Sequence, residues 1–141
     1  MSTLTLEQAN TMVAVAVREA RKAGYRPMTV VVLDDAGHLK VAQREDGASM
    51  FRLDIAIGKA WAAVAMGTSS RTLLGYAKEH SQFFTALSAT SQGKFVPQTG
   101  AVLIRDASGA ALGAMGASGG TGDEDELICK AGVDAAGLVA A

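Results

Sequence analysis

The 141-residue chain has one cysteine, Cys129, and no partner for it, so no disulfide can form within the chain. That pattern fits a reducing compartment and sets the expectation of a cytoplasmic protein. No basic stretch followed by an apolar run and a cleavage site opens the sequence. No apolar run approaches the ~18 residues of a membrane span. Charge of one sign is missing too: 13 Lys and Arg stand against 14 Asp and Glu, a net charge of −1. No basic field therefore draws nucleic acid or an anionic membrane. The two histidines, His38 and His80, are far apart, and no Cys/His cluster has metal-ligand spacing, so no metal site is expected. No serine sits in a nucleophile elbow.

What is present is apolar and small. Hydrophobic residues make up 49% of the chain and charged ones only 19%, with 16 glycines. Mean hydropathy is +0.21. One domain of this length, residues 1–141, buries roughly two thirds of its unfolded surface. So small and apolar a chain suggests tight packing or a surface covered by another copy.

The central stretch runs from Thr29 to Lys59. Val30-Val31-Val32-Leu33 turns through Asp34-Asp35-Ala36-Gly37-His38 and returns as Leu39-Lys40-Val41-Ala42. Asp and Gly tolerate tight-turn backbone angles, so this reads as a β-hairpin. Arg44-Glu45-Asp46-Gly47-Ala48 ends the second strand, and a helix carrying Lys59 follows. The reading gathers Arg44, Asp46 and Lys59 at one strand end as the wall of a site. The simpler alternative is a salt bridge that closes the strand end.

Before the hairpin, Thr5 and Gln8 form a capping box for a helix over 6–23, which Gly24 and Pro27 terminate. After it, Ser49 is the expected cap of a long helix near 50–66 with Leu53, Ala56, Ile57, Ala60 and Val64 as its buried stripe. Met50, Phe51, Ile55 and Trp61 lie partly off that stripe and are available to a partner. Two short helices follow, capped from Thr68-Ser69-Ser70 and from Ser81. A polar connection spans Ala89–Gln98, with an edge strand at Phe95-Val96. A second hairpin, Ala101–Ile104 and Ala111–Gly116, turns at Asp106-Ala107-Ser108-Gly109. Gly113 and Gly116 in its return strand allow something to approach closely. The last helix begins near Asp123 with Asp123 and Glu126 as its capping box, and Leu127, Ile128, Ala131, Ala135 and Leu138 as its apolar face. Its four leading acids suit the positive end of the helix dipole. The Ser118–Gly122 loop before it lacks the Lys of a phosphate loop, and a structural turn is the simpler reading. Adjacent hairpins with helices between them predict an α+β fold with an antiparallel sheet.

Several of these motifs, in this order, resemble the GlcG/HbpS family of small haem-binding proteins. They are Val32–Leu39, Arg44–Ala48, Ile55-Ala56, Lys59-Ala60, Asp106–Gly109 and Gly113–Gly120. The resemblance covers nearly the whole chain. It implies an antiparallel sheet of about five strands flanked by helices, and a homo-oligomer, often an octamer. It implies a small-molecule ligand, with haem the candidate cofactor. A related domain is appended to some corrinoid adenosyltransferases, and other members accompany catabolic genes. Where relatives carry Gly-Gly and a Pro entering the second hairpin, this chain has Gln98-Thr99-Gly100-Ala101, which suits a small polar ligand.

Two functional expectations follow. In the first, the protein binds haem; His38, Thr99, His80 and Met115 are the candidate axial ligands, and Arg44 meets a propionate. In the second, it is a cofactor-independent lyase, isomerase or hydrolase acting on a small anionic metabolite. There Arg44 or Lys59 holds a carboxylate and Asp46 or His38 moves a proton. Gln98 and Thr99 contact the ligand, and Gly116 and Gly119 let it lie against backbone. Any pocket is expected at a subunit boundary.

Overall fold

The computed structural model describes residues 3–141. Helix α1 (Leu6–Ala23) leads into the hairpin β1 (Thr29–Asp34) and β2 (Leu39–Arg44). Three helices follow: α2 (Phe51–Met66), α3 (Ser70–Glu79) and α4 (Ser81–Thr90). The second hairpin is β3 (Ala101–Arg105) and β4 (Ala111–Ser118), then α5 (Gly122–Ala135) and a two-residue β5 (Val139–Ala140). The strands form one sheet in the order β2-β1-β4-β3-β5, every pairing antiparallel.

Helices cover both faces of this sheet, and the burial of β1 records it. Residues Thr29 to Leu33 are all buried, because a strand covered on both sides needs apolar residues at every position. Val30, Val32, Val102, Ile104 and Met115 pack beneath α1 and α5 with Met12, Val13, Ile128 and Cys129. Val31, Leu33, Leu103 and Ala114 pack on the other face under the alanine stripe Ala56, Ala60 and Ala63 of α2. Small residues let α2 sit close. A Cβ on Gly116 would stand 2.6 Å from the Ala56 carbonyl oxygen, and one on Gly119 would stand 2.3 Å from that of Pro27. The close approach expected at these glycines is therefore made by the protein's own backbone. Neither has room for a ligand, which corrects their reading as ligand-binding positions.

The Thr5–Gln8 capping box forms, and Gly24 and Gly67 close α1 and α2 in left-handed backbone. Ser69 caps α3. Other boundaries need correction. Met50 rather than Ser49 precedes α2, with no side-chain cap, and His80 rather than Ser81 occupies the cap position of α4. The α5 capping box is Thr121–Glu124, not Asp123–Glu126; the threonine hydroxyl reaches the Glu124 N–H and the glutamate returns the bond. Leu127 is exposed rather than part of the apolar face. Phe95-Val96 is not a strand. Phe95 is buried with Ala62, Leu73 and Phe84, fastening the connection to α2–α4. The fifth strand is instead the C-terminal Val139–Ala140 beside β3, which the sequence pattern did not reveal.

Candidate functional site

The end of the sheet where β1 begins and β4 stops carries two separate charged regions. Arg44 and Ser118 are both register partners of Thr29, so they stand on one cross-strand row. The Arg44 side of the row is an open groove lined by Arg21, Pro27, Arg44, Glu45 and Asp46. The Arg44 guanidinium donates to the Ala48 carbonyl at 2.7 Å, holding the turn into α2. Glu45 bonds Arg21 at 2.7 Å and accepts the Met28 N–H at 2.8 Å. Asp46 is exposed. Arg44 and Asp46 are therefore not joined to Lys59 in one wall, and among the described residues neither makes the strand-closing salt bridge of the alternative reading; the ion pair of this groove is Arg21–Glu45.

Lys59 lines a different space. A cleft of about 500 Å³ opens between α2, α3, residues 98–99 and the start of α5. Arg52, Ile55 and Lys59 form one side, Gln98 and Thr99 another, and Ser118, Gly120 and Asp125 the base. Lys59 is placed by the helical spacing that also puts Arg52 and Ile55 on the same face of α2. Its ammonium bonds Asp125 at 3.0 Å and the Ala117 carbonyl at 3.1 Å, with side-chain exposures of 7% and 2% for the pair. Gly100 makes room for it, since a Cβ there would lie 2.6 Å from Nζ. Asp125 also accepts the Gly120 N–H at 3.0 Å. Loss of hydration raises the Asp125 pKa above the ordinary carboxylate value, against the lowering pull of Lys59 and Gly120.

The rim is neutralised. Arg71 on α3 pairs with Asp123 and, at 3.1 Å, with Glu126, and Lys130 meets Glu126 at 3.3 Å. These bonds hold the Arg71 pKa above its usual value. Arg52 is different: among the described residues its guanidinium makes one long hydrogen bond, 3.4 Å, to the Ser118 hydroxyl, and no ion pair. Sequence reasoning passed over Arg52. The signal available was its place seven residues before Lys59, two helical turns along the same face. Asp125 was passed over as one of four consecutive acids. Only the packing of α5 against the sheet singles it out.

The candidate axial ligands are scattered. Met115 is fully buried in the core and is corrected as a ligand. His80 is exposed in a shallow depression with Glu79, Ser81, Gln82 and Phe83. Thr99 lines the cleft, which contains no His, Cys, Met or Tyr and only Ile55 and Leu74 as large apolar walls. That cleft does not fit a porphyrin. His38 lies at the hairpin turn beside a groove of about 350 Å³ lined by Leu33, Leu39, Ile57, Trp61 and Lys94. Its Nδ1 is 3.9 Å from Asp34, its side chain is 81% exposed, and its other ring nitrogen has no partner among the described residues. An imidazole, an indole, aliphatic walls and a cation make this donor set compatible with haem. Cys129 is no alternative: it is buried, and burial pushes its thiol pKa up, away from a metal-binding thiolate. Among the described residues no three acidic, His or Cys side chains cluster to hold a metal ion, and no helix is long and apolar enough to cross a membrane.

The model of the haem-degrading HbpS-like proteins matches residues 4–134. The chain belongs to that family. Its fold agrees with that of HbpS from Streptomyces reticuli, a double-mutant crystal structure with TM-score 0.81 and 30% identity, covering 95% of this chain and 87% of that one. It is also similar to PduOC, crystallised as a haem complex, with TM-score 0.87 and 26% identity over 97% of both chains. An uncharacterised 15.0 kDa protein from the dhaT–dhaS intergenic region of Citrobacter freundii is 26% identical, covering 95% of this chain and 92% of its own. The expected antiparallel α+β fold and family are thus established together.

Proposed function

We propose that this protein binds haem or a related tetrapyrrole in the groove beside His38, with the imidazole as axial ligand. The observation that carries the reading is the combination of an uncommitted imidazole nitrogen with Trp61, Ile57 and Leu39 at one groove. Lys94 supplies a cation for a propionate. Membership of a haem-degrading family and likeness to a protein crystallised with haem support the choice of ligand. Asp34 stands 3.9 Å from Nδ1, too far for a hydrogen bond but near enough to attract a charged ring. Bound haem would bring iron-centred ligand and redox chemistry; the chain's own part is to seat and orient it.

The groove is shallow and open. Exposed Met50 and Phe51 at the start of α2, 84% and 62% accessible, favour a homo-oligomer, since Met and aromatic residues populate interface cores. Light scattering after size exclusion tests that part; a 14.4 kDa species at all micromolar concentrations ends it. Hemin titration followed in the Soret region tests the ligand. We expect a saturable shift at micromolar hemin, weakened at least tenfold in His38→Ala. Absence of a shift, or an unchanged titration in that variant, overturns the reading.

A further inference from the structure

We propose that the cleft between α2 and α5 is a separate binding site for the carboxylate of a small, polar, monoanionic organic acid, held by Arg52 with help from Lys59 and Ser118. This goes beyond the haem reading and does not depend on it, because the two sites share no lining residue.

The charge pattern carries the argument. Three cations and two carboxylates line the cleft. Asp125 takes Lys59, and Asp123 with Glu126 takes Arg71. Arg52 is left over, half-buried, with one weak hydroxyl contact. A planar guanidinium with five donors, one of them loosely used, matches a carboxylate in a two-pronged contact. Partial burial strengthens that contact over one made on open surface.

The neighbours set the rest of the ligand. An ammonium has three donors, and two of those on Lys59 are committed to Asp125 and Ala117. The third is free on a residue that lines the cleft. Gln98 and Thr99 add an amide and a hydroxyl on the facing wall, beside Ile55 and Leu74. Polar capacity around Arg52 therefore exceeds what the protein itself satisfies. One net positive charge selects a monoanion over a dianion, and the polar walls select a ligand with hydroxyl or carbonyl oxygens over a fatty acid.

Carboxylates occur free and on haem, so the experiment has two arms. The full-length protein is titrated by calorimetry with sodium lactate and sodium propionate, against sodium chloride and sulfate at matched ionic strength. In parallel, hemin is titrated in the Soret region. We expect one saturable lactate site per chain at millimolar or lower concentration, tighter than propionate. Arg52→Gln should weaken it at least tenfold and Arg52→Lys by less, with thermal unfolding unchanged in both. Loss of lactate binding with hemin binding intact supports a site for free acids. Loss of both marks a wider disturbance around α2 rather than a lost anchor, since the cleft does not fit a porphyrin, and overturns the proposal. No saturable lactate binding up to 50-fold above a millimolar, an equal response to sulfate, or undiminished binding in Arg52→Gln overturns the proposal. Hemin binding alone cannot rescue it.

Discussion

The groove at Arg44 and the cleft at Arg52 begin from one cross-strand row, yet they end with different electrostatics. The groove is lined by two cations and two carboxylates, and its bonds tie α1 to the strand end and the strand end to α2. Apart from Glu45, whose side chain is 13% exposed, the groove's side chains lie near solvent. The cleft holds a buried pair, a neutralised rim and one guanidinium that forms no ion pair among the described residues. A concentration of charged residues in a sequence is thus a poor guide to a site. What remains after the charges have paired, and how far it is removed from water, is the better one.

Breaking the buried pair is the most severe test of this difference. Lys59→Met leaves the Asp125 carboxylate buried without its partner and should cost about 3–5 kcal/mol in urea denaturation. Replacing both, as in Lys59→Met with Asp125→Leu, should recover most of that loss. The pair also sets a pH signature. The Asp125 pKa is raised in the folded state, so the folded chain holds this proton more tightly than the unfolded one. Stability from this group is then greatest below the ordinary value of 3.8 and falls as pH climbs from there through the raised pKa. The double variant should lose that part of the pH profile. A single Lys59 variant as stable as wild type would show the pair to be unimportant.

Gly116→Val comes next. Its side chain has no room against the α2 backbone, and overpacking should cost about 1–3 kcal/mol. Because α2 carries both Arg52 and Lys59, lactate affinity should fall with it, read from the same calorimetric titration. Arg44→Gln should cost about 1.5 kcal/mol, the low end for one part-buried charge-assisted bond, and leave binding of both lactate and hemin unchanged. Any loss of binding in that variant would return the Arg44 groove to consideration. Arg52→Gln should have the smallest effect on stability, within about 0.5 kcal/mol by thermal or urea unfolding, while removing lactate binding. The comparison sharpens to that contrast: the charge that matters least to folding matters most to the cleft.

Much of the fold was legible because its signals are local. The Thr5 capping box, the two hairpins, and the glycines that end α1 and α2 each rest on a few adjacent residues. Errors came where two candidates competed within a turn. Thr121 and Asp123 are both good caps, and which one serves depends on how the chain leaves β4. Phe95 was read as edge strand because its neighbours are polar. Its ring is drawn under α4 by Phe84, at a centroid distance of 5.8 Å. Strand β5 has two residues and no pattern to detect.

For the site, the charged stretch after the first hairpin marked Lys59 and the departure from the family pattern marked Gln98 and Thr99, which the fold does bring to one cleft; His38, at the hairpin turn, it leaves at another groove. The same charged stretch also marked Arg44 and Asp46, because they are near Lys59 along the chain. The sequence by itself determined the main helices and the two hairpins, and that small residues would pack closely; it did not reveal β5 or the burial of Phe95. Tertiary structure alone decided which charges cancel. Asp125 is 66 residues from Lys59, and Ser118 is 66 from Arg52. Coulomb energy depends on distance and dielectric, and both are fixed only when α2 and α5 have docked at the end of the sheet.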